Sequence, residues 1–265
     1  MLIKQIPVRN ALRNYMYILA CEKTKEALAI DPLDHALCLK TAKDLGWTIK
    51  TVANTHHHYD HIDGNGPVIF STGAELVSHS DAMEAIPNVD RGLNAGDTLQ
   101  CGEINFKIMD TPVHTMSHIC LYFSGDEKNE PALFCGDTLF YAGVGRCDFG
   151  GDPEIMFETF SDQIFPLEDN VRIYPGHDYI ENNLKFTLDR EPSNNMASSL
   201  LEQFNSGLDS ETFVSDIGLE REINVFFRIN EKDIRQGIAK SLNEDVKKLD
   251  AKKTFVALRG LRDNW

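Results

Sequence analysis

Apolar runs in this 265-residue chain stop well short of the ~20 residues that a membrane-spanning helix needs. The N-terminus, Met1-Leu2-Ile3-Lys4-Gln5-Ile6-Pro7, lacks the apolar core and cleavage site of a secretory signal, so the expected location is cytoplasmic. Basic residues are scarce: 26 Lys+Arg against 41 Asp+Glu leave a formal net charge of −15. A general nucleic-acid binder needs a basic face to displace counterions, which argues against that class. A local Arg cluster can still hold an anionic substrate. No C-x-x-C occurs among the six cysteines, Cys21, Cys38, Cys101, Cys120, Cys135 and Cys147. They read as reduced, mostly buried thiols and not as disulfides or a structural zinc site. Internal repeats and low-complexity tracts are missing too, and no self-complementary patch is legible, so a monomer is expected. What remains is a chain of ordinary apolar content, 42%, long enough for one large core or two unequal domains.

Residues 2–6, 14–20 and 26–30 read as short strands, and Asp34–Leu45 as a helix closed by Gly46. Trp47–Asn54 reads as a strand, as do Glu103–Asp110, Ile119–Phe123, Ala132–Cys135 and Val171–Tyr174, while Met156–Ile164 fits a helix. Strand ends repeatedly lead into His or Asp: His56 after the first of these, His114 after the second, Asp137 and His177 after later ones. Strand-end loops are where scaffolds place chemistry, so one convergent site is expected. Beyond His177 strand signals nearly vanish. Glu181–Arg190, Asn195–Ser206, Leu219–Arg228, Lys232–Leu242 and Thr254–Asp263 carry helical apolar spacing. We place a boundary near 178, between an α/β domain (1–177) and a smaller helical domain (178–265).

The densest stretch is Thr55-His56-His57-His58-Tyr59-Asp60-His61, where five of seven residues can bind a metal or move a proton. His56 and His58 are two apart and share a side of extended backbone, whereas His57 alternates away. Asp60 and His61 follow a turn and can face a second point. His56, His58 and His114 are expected to hold one ion, Asp60, His61 and His177 the other, with Asp137 as a bridge. Imidazole suits Zn²⁺, Fe and Mn²⁺, and two close cations acidify a water held between them. A histidine-rich surface loop would explain His56–His61 but not the further strand-end ligands. His35 reads as a surface or capping residue of a predicted helix and His79 as part of a helix-entry loop, while His118 reads as a packing residue or a support behind the ligands before it reads as a ligand. Asp31 either orients a ligand histidine or starts the next helix. Arg259 and Arg262, three apart on a predicted helix, share a face and suit carboxylate recognition, unless they are a solvated helix end. Arg146 lies nine residues after Asp137 and must be near the metals. Tyr179, two residues after His177, lines the pocket or joins the core.

The His56–His61 stretch with Gly64-Asn65 resembles the signature of the metallo-β-lactamase superfamily. Thr111-Pro112-Val113-His114-Thr115, Gly136-Asp137-Thr138-Leu139-Phe140 and Gly176-His177-Asp178-Tyr179 leading into Asn182-Asn183-Leu184-Lys185-Phe186 resemble the glyoxalase II (hydroxyacylglutathione hydrolase) family. The likeness spans nearly the whole chain, to Arg259-Gly260-Leu261-Arg262-Asp263. It implies a four-layer αββα sandwich with metals at one edge and a helical domain closing the substrate site. It implies hydrolysis of S-D-lactoylglutathione to glutathione and D-lactate, the second step of methylglyoxal detoxification. It also implies that Arg146, Tyr179, Arg259 and Arg262 hold the glutathione moiety. Tyr59 stands where Trp is common in the family, and Cys147-Asp148 stand where some members place a Tyr.

The expected chemistry is attack of a metal-bridging hydroxide on the thioester carbonyl, with one metal stabilising the oxyanion. A thiolate leaves without help from an acid. Asp60 is a ligand that can also accept a proton, and the residues alone leave open which role it takes. A related sandwich hydrolase or a mononuclear-iron persulfide dioxygenase would share the first ligands, but Asp60, His61 and His177 favour two metals. A metal-storing or regulatory protein is the rival from another class.

Overall fold

Tyr15–Ala20 is apolar at every position, and all six residues are buried, so this strand must be covered on both faces. In the computed structural model, which describes residues 1–265, it is the second of three opening strands: β1 (Leu2–Pro7), β2 (Tyr15–Ala20) and β3 (Glu26–Ile30). Helix α1 (His35–Leu45) follows, capped by the Asp34 side chain on the Leu37 N–H and closed by Gly46 in the left-handed region. Then come β4 (Thr48–Ala53), α2 (Tyr59–Ile62), α3 (Asn65–Thr72), β5 (Glu75–His79) and β6 (Arg91–Leu93). The first sheet runs β1 to β6 in order, antiparallel up to β3 and parallel from there on.

The second sheet is built from β7 (Thr98–Cys101), β8 (Ile104–Asp110), β9 (Ile119–Phe123), β10 (Ala132–Gly136) and β13 (Arg172–Pro175). Its order is β13-β10-β9-β8-β7, with β13 parallel to β10. Between β10 and β13 lie the hairpin β11 (Leu139–Phe140) and β12 (Gly143–Val144) and helix α4 (Pro153–Thr159). Helices α5 (Ile180–Arg190), α6 (Asn195–Asn205), α7 (Ile217–Ile223), α8 (Lys232–Leu242) and α9 (Ala251–Asp263) complete the chain.

The alternation of β2 explains the layering. Tyr15, Tyr17 and Leu19 point into the space between the sheets, against Phe106, Leu121 and Phe134. Met16, Ile18 and Ala20 point the other way, beneath Cys38 and Ala42 of α1 and Val68 of α3. Phe134 stacks on Tyr174 at 4.7 Å and meets Tyr17 edge-on. Truncating such a ring costs about 3–5 kcal/mol. On the far side, Met156 and Phe160 join Phe226, Phe255 and Leu258 of the C-terminal segment, so the same core crosses residue 178 without a break. The result is the expected αββα sandwich with a C-terminal helical region. All six cysteines are buried and free.

Several elements differ from the expectation. α4 starts at Pro153 because Asp152 caps it, and past Thr159 the chain continues as a π-helical segment, Phe160–Ile164. α7 starts at Ile217 under an Asp216 cap and ends at Ile223, and Asn224 leaves the helix to bond the Gly143 carbonyl. The strands β5, β6 and β7 and helix α3 carry too short a pattern to read in the sequence; tertiary pairing stabilises them. His79 ends β5, and its ring accepts from the Asp81 N–H at 2.9 Å.

Candidate metal centre and anion cradle

The parallel strands deliver the chemistry to one edge. Residues 54–58 follow β4, α2 carries Asp60 and His61, and His114 sits in the loop after β8. Asp137 follows β10 and His177 follows β13. The two ligand sets expected from the sequence are both assembled: His56, His58 and His114 cluster, and so do Asp60, His61 and His177. Within the first, His58 Nδ1 lies 3.2 Å from His56 Nε2 and 2.8 Å from His114 Nε2. Within the second, His61 Nε2 and His177 Nε2 are 3.3 Å apart, and Asp60 Oδ2 is 3.6 Å from each. Asp137 lies between the sets: Oδ2 is 3.5 Å from His114 Nε2 and 3.3 Å from His177 Nε2, and Oδ1 is 3.5 Å from His61 Nε2.

Between neutral rings these contacts are not ordinary hydrogen bonds, because the outer nitrogen of each ring already faces an acceptor. His114 Nδ1 meets the Arg146 carbonyl at 2.7 Å, His177 Nδ1 the Leu12 carbonyl at 2.7 Å, and His58 Nε2 the Phe149 carbonyl at 3.3 Å. His61 Nδ1 meets Asp31 Oδ2 at 2.9 Å. His56 Nδ1 meets Thr55 Oγ1, whose own proton goes to Asp31 Oδ2 at 2.7 Å, so that hydroxyl can only accept. Each outer nitrogen therefore carries the proton, and the inner nitrogens turn lone pairs on one another. Lone pairs converging at about 3 Å need a cation between them. Asp137 Oδ1 is also buried without a hydrogen-bond donor.

The charges agree with this need. Burial pushes His56 and His114 below the usual imidazole range, which keeps them neutral and fit to ligate. Burial would lower His61 as well, yet the Asp137 and Asp31 carboxylates raise it to about 9. Those carboxylates demand a positive charge, and a proton and a metal compete to supply it. Burial would raise Asp137, but His177 and His61 hold it well below the carboxylate range. A further group, Asp31 with His56 and His61, is also close enough to share an ion, but its histidine nitrogens carry protons there. Asp31 is instead a hub. Its carboxylate takes the Thr55 N–H at 2.8 Å, the Thr55 hydroxyl and His61, and so orients one ligand of each set. That is the ligand-orienting reading of Asp31.

His118 is a support and not a ligand: its Nε2 accepts from the Asp137 N–H at 3.1 Å, while Nδ1 faces the Thr111 and Thr138 hydroxyls. His57 turns away to Ser117. Backbone must approach closely here, and Gly176 permits it, since a Cβ would collide with the Asp137 carboxylate and His61. The sequence reading missed Leu12 and Asn14, which reach the second set from the loop before β2.

Two joined cavities open beside the ligands. One of about 420 Å³ is lined by His58, Asp60, His114, Asp137 and His177, with Leu12, Tyr59 and Phe149 at its apolar side. The other, about 320 Å³, is lined by Asn182, Asn183, Arg259, Arg262, Asp263 and Trp265. Phe140, Arg146 and Tyr179 line both. Tyr179 lies flat on His177, ring centroids 5.0 Å apart, so it is a pocket wall. Arg262 bonds Asn183 Oδ1 at 3.3 Å between the Phe186 and Trp265 rings. Arg146 is half exposed and forks onto Asp148. Arg259 is 2% exposed and so is no solvated helix end, although it does line the second cavity. Its guanidinium bonds the Val144 and Gly145 carbonyls at 2.9 and 2.8 Å and Asp263 at 2.9 Å. It thus fixes the turn that carries Arg146, and its helix is held there by the β11–β12 hairpin.

Residues 20–177 match the family model described as metallo-beta-lactamase superfamily, and residues 178–265 match that of the hydroxyacylglutathione hydrolase C-terminus. The hydroxyacylglutathione hydrolase of Nitrosococcus oceani is 49% identical, with 100% of both chains covered. The chain belongs to the hydroxyacylglutathione hydrolase family. Another family member, from Polaromonas sp., is 44% identical, again over 100% of both chains. The crystal structure of ETHE1 from Myxococcus xanthus superposes with a TM-score of 0.68 at 23% identity, over 99% of this chain and 98% of that one. At that identity the likeness shows the shared metallo-β-lactamase fold. The family's C-terminal match begins one residue after His177, so the basic cradle, apart from Arg146, comes from that segment.

Proposed function

We propose that the chain is a binuclear thioesterase that hydrolyses S-D-lactoylglutathione, and other S-2-hydroxyacylglutathiones, to glutathione and the hydroxy acid. Residues 1–177 would carry the metal chemistry and residues 178–265 most of the substrate binding, as a monomer in the cytoplasm. The observation that carries the reading is the convergence of imidazole lone pairs and carboxylate oxygens in two sets beside a cavity rimmed by arginines. Two divalent cations, zinc first and iron or manganese as alternatives, would supply a water acidic near pH 7 and positive charge beside the thioester oxygen.

The protein's own groups do the remainder. His56, His58 and His114 would hold one ion and Asp60, His61 and His177 the other, with Asp137 placed between the two sets. Arg146, Arg262 and the Tyr179 ring receive the glutathione carboxylates and backbone, with Arg259 shaping the turn behind Arg146. Holding the thioester against the ligand sets converts a bimolecular attack into a positioned one. The thiolate leaves as an anion and needs no proton from the protein.

The test is S-D-lactoylglutathione hydrolysis, followed by loss of thioester absorbance, on protein whose metals are counted by elemental analysis. Turnover with about two metals per chain is the expected result. Two metals without turnover would move the substrate to another ester, lactam or phosphoester. One iron with oxygen uptake on glutathione persulfide would overturn the reading in favour of a dioxygenase.

A further inference from the structure

Of three consecutive residues before β2, the first and third bond members of the second ligand set and the middle one pairs with Asp178, next to His177. The Leu12 carbonyl accepts from His177 Nδ1 at 2.7 Å. Arg13, in the left-handed region at φ 55°, pairs with Asp178, which also takes the Ser210 hydroxyl at 2.7 Å. The Asn14 amide donates to Asp60 Oδ2 at 3.0 Å and to the Asp60 carbonyl at 3.1 Å. Asn14 is 1% exposed and is braced from behind. The Asn10 amide donates to Asn14 Oδ1 at 2.8 Å, and Asn10 Oδ1 accepts from the Asn14 N–H at 3.2 Å. The first ligand set takes its outer bonds from Thr55, Phe149 and Arg146 instead.

The oxygen that Asn14 grips is the one facing the ligands, since Asp60 Oδ2 lies 3.6 Å from both His61 Nε2 and His177 Nε2. The same oxygen therefore accepts the Asn14 amide and faces the point where the second ligand set meets. Its rotamer is also locked, which raises the fraction of time that it points at the ion. This loop precedes residue 20, where the superfamily match begins.

Resting on the binuclear reading above, we propose that Asn14 is a positioning residue that commits Asp60 Oδ2 to the second cation. The Leu12-Arg13-Asn14 clasp then decides whether that position fills.

The experiment counts zinc. Wild type, Asn14→Ala and Asn10→Ala are stripped, titrated with Zn²⁺ against a competing chromophoric chelator, and analysed for metal content. Unfolding of the metal-free proteins is recorded alongside. Wild type should bind two zinc ions. Asn14→Ala should lose about 10–100-fold in affinity at one position only, the range for removing a ligand's outer partner. Asn10→Ala, at an exposed position, keeps the fold and should weaken the same position less. Two zinc ions bound by Asn14→Ala with wild-type affinities would overturn the proposal, as would equal weakening of both positions. One zinc per wild-type chain would remove the binuclear reading itself, and the clasp's role with it.

Discussion

Glu220 gives the sharpest test of how the C-terminal segment is joined to the cradle. It is fully buried on α7 and holds the hairpin: Oε2 accepts from the Ala142 N–H and the Asn224 amide, each at 2.9 Å, and Oε1 from the Ser215 hydroxyl at 2.7 Å. Burial raises its carboxyl from 4.5 to about 7, against the pull of these hydrogen bonds. The folded state thus keeps a proton that the unfolded chain has already released, so stability falls as pH rises from about 4.5 to about 7 and levels off above. At ~1.4 kcal/mol per pH unit the loss is about 3 kcal/mol. In Glu220→Gln the amide oxygen can take the Ala142 and Asn224 donors, while its NH₂ donates to Ser215. The variant should fold and lack this slope. The assay is urea unfolding of wild type and Glu220→Gln between pH 4 and pH 8. The wild-type advantage should shrink by about 3 kcal/mol across the range. A difference that does not change with pH would refute the assignment of a buried, proton-holding Glu220.

Asp31→Ala strands three buried donors, on Thr55 and His61, at about 1–3 kcal/mol each, so denaturant midpoints should fall steeply and zinc affinity should drop with them. Arg146→Ala should raise KM about 3–10-fold with kcat unchanged, as expected for removal of uniform binding, and leave stability intact. Arg259→Ala should instead cost about 3–5 kcal/mol in unfolding experiments, because it strands buried carbonyls and Asp263. Equal stability of the two arginine variants would reverse their roles. Asp148 forks onto Arg146 at 3.1 and 2.5 Å and competes with a substrate carboxylate, so Asp148→Asn should lower KM about 2–5-fold. A raised KM would mean that Asp148 instead receives the substrate's ammonium.

The sequence carried much of this. Strand and helix periodicity placed β1 to β4, β8 to β10, β13 and most of the C-terminal helices. The one-sided spacing of His56 and His58, with His or Asp at other strand ends, predicted the two clusters that now converge. It could do so because ligand chemistry belongs to residue types, and a two-residue repeat fixes which side of extended backbone they face. The roles of Leu12, Asn14 and Glu220 were illegible, since a carbonyl has no residue signature and a buried amide or carboxyl reads like a surface one. Arg259 looked the same as Arg262 in the sequence, three residues apart on one helix, yet one is buried on backbone carbonyls and the other stands between two rings. Local pattern thus determined the elements and the ligand types. Burial and long-range hydrogen bonding, which depend on what packs against each residue, were decided only by the tertiary structure.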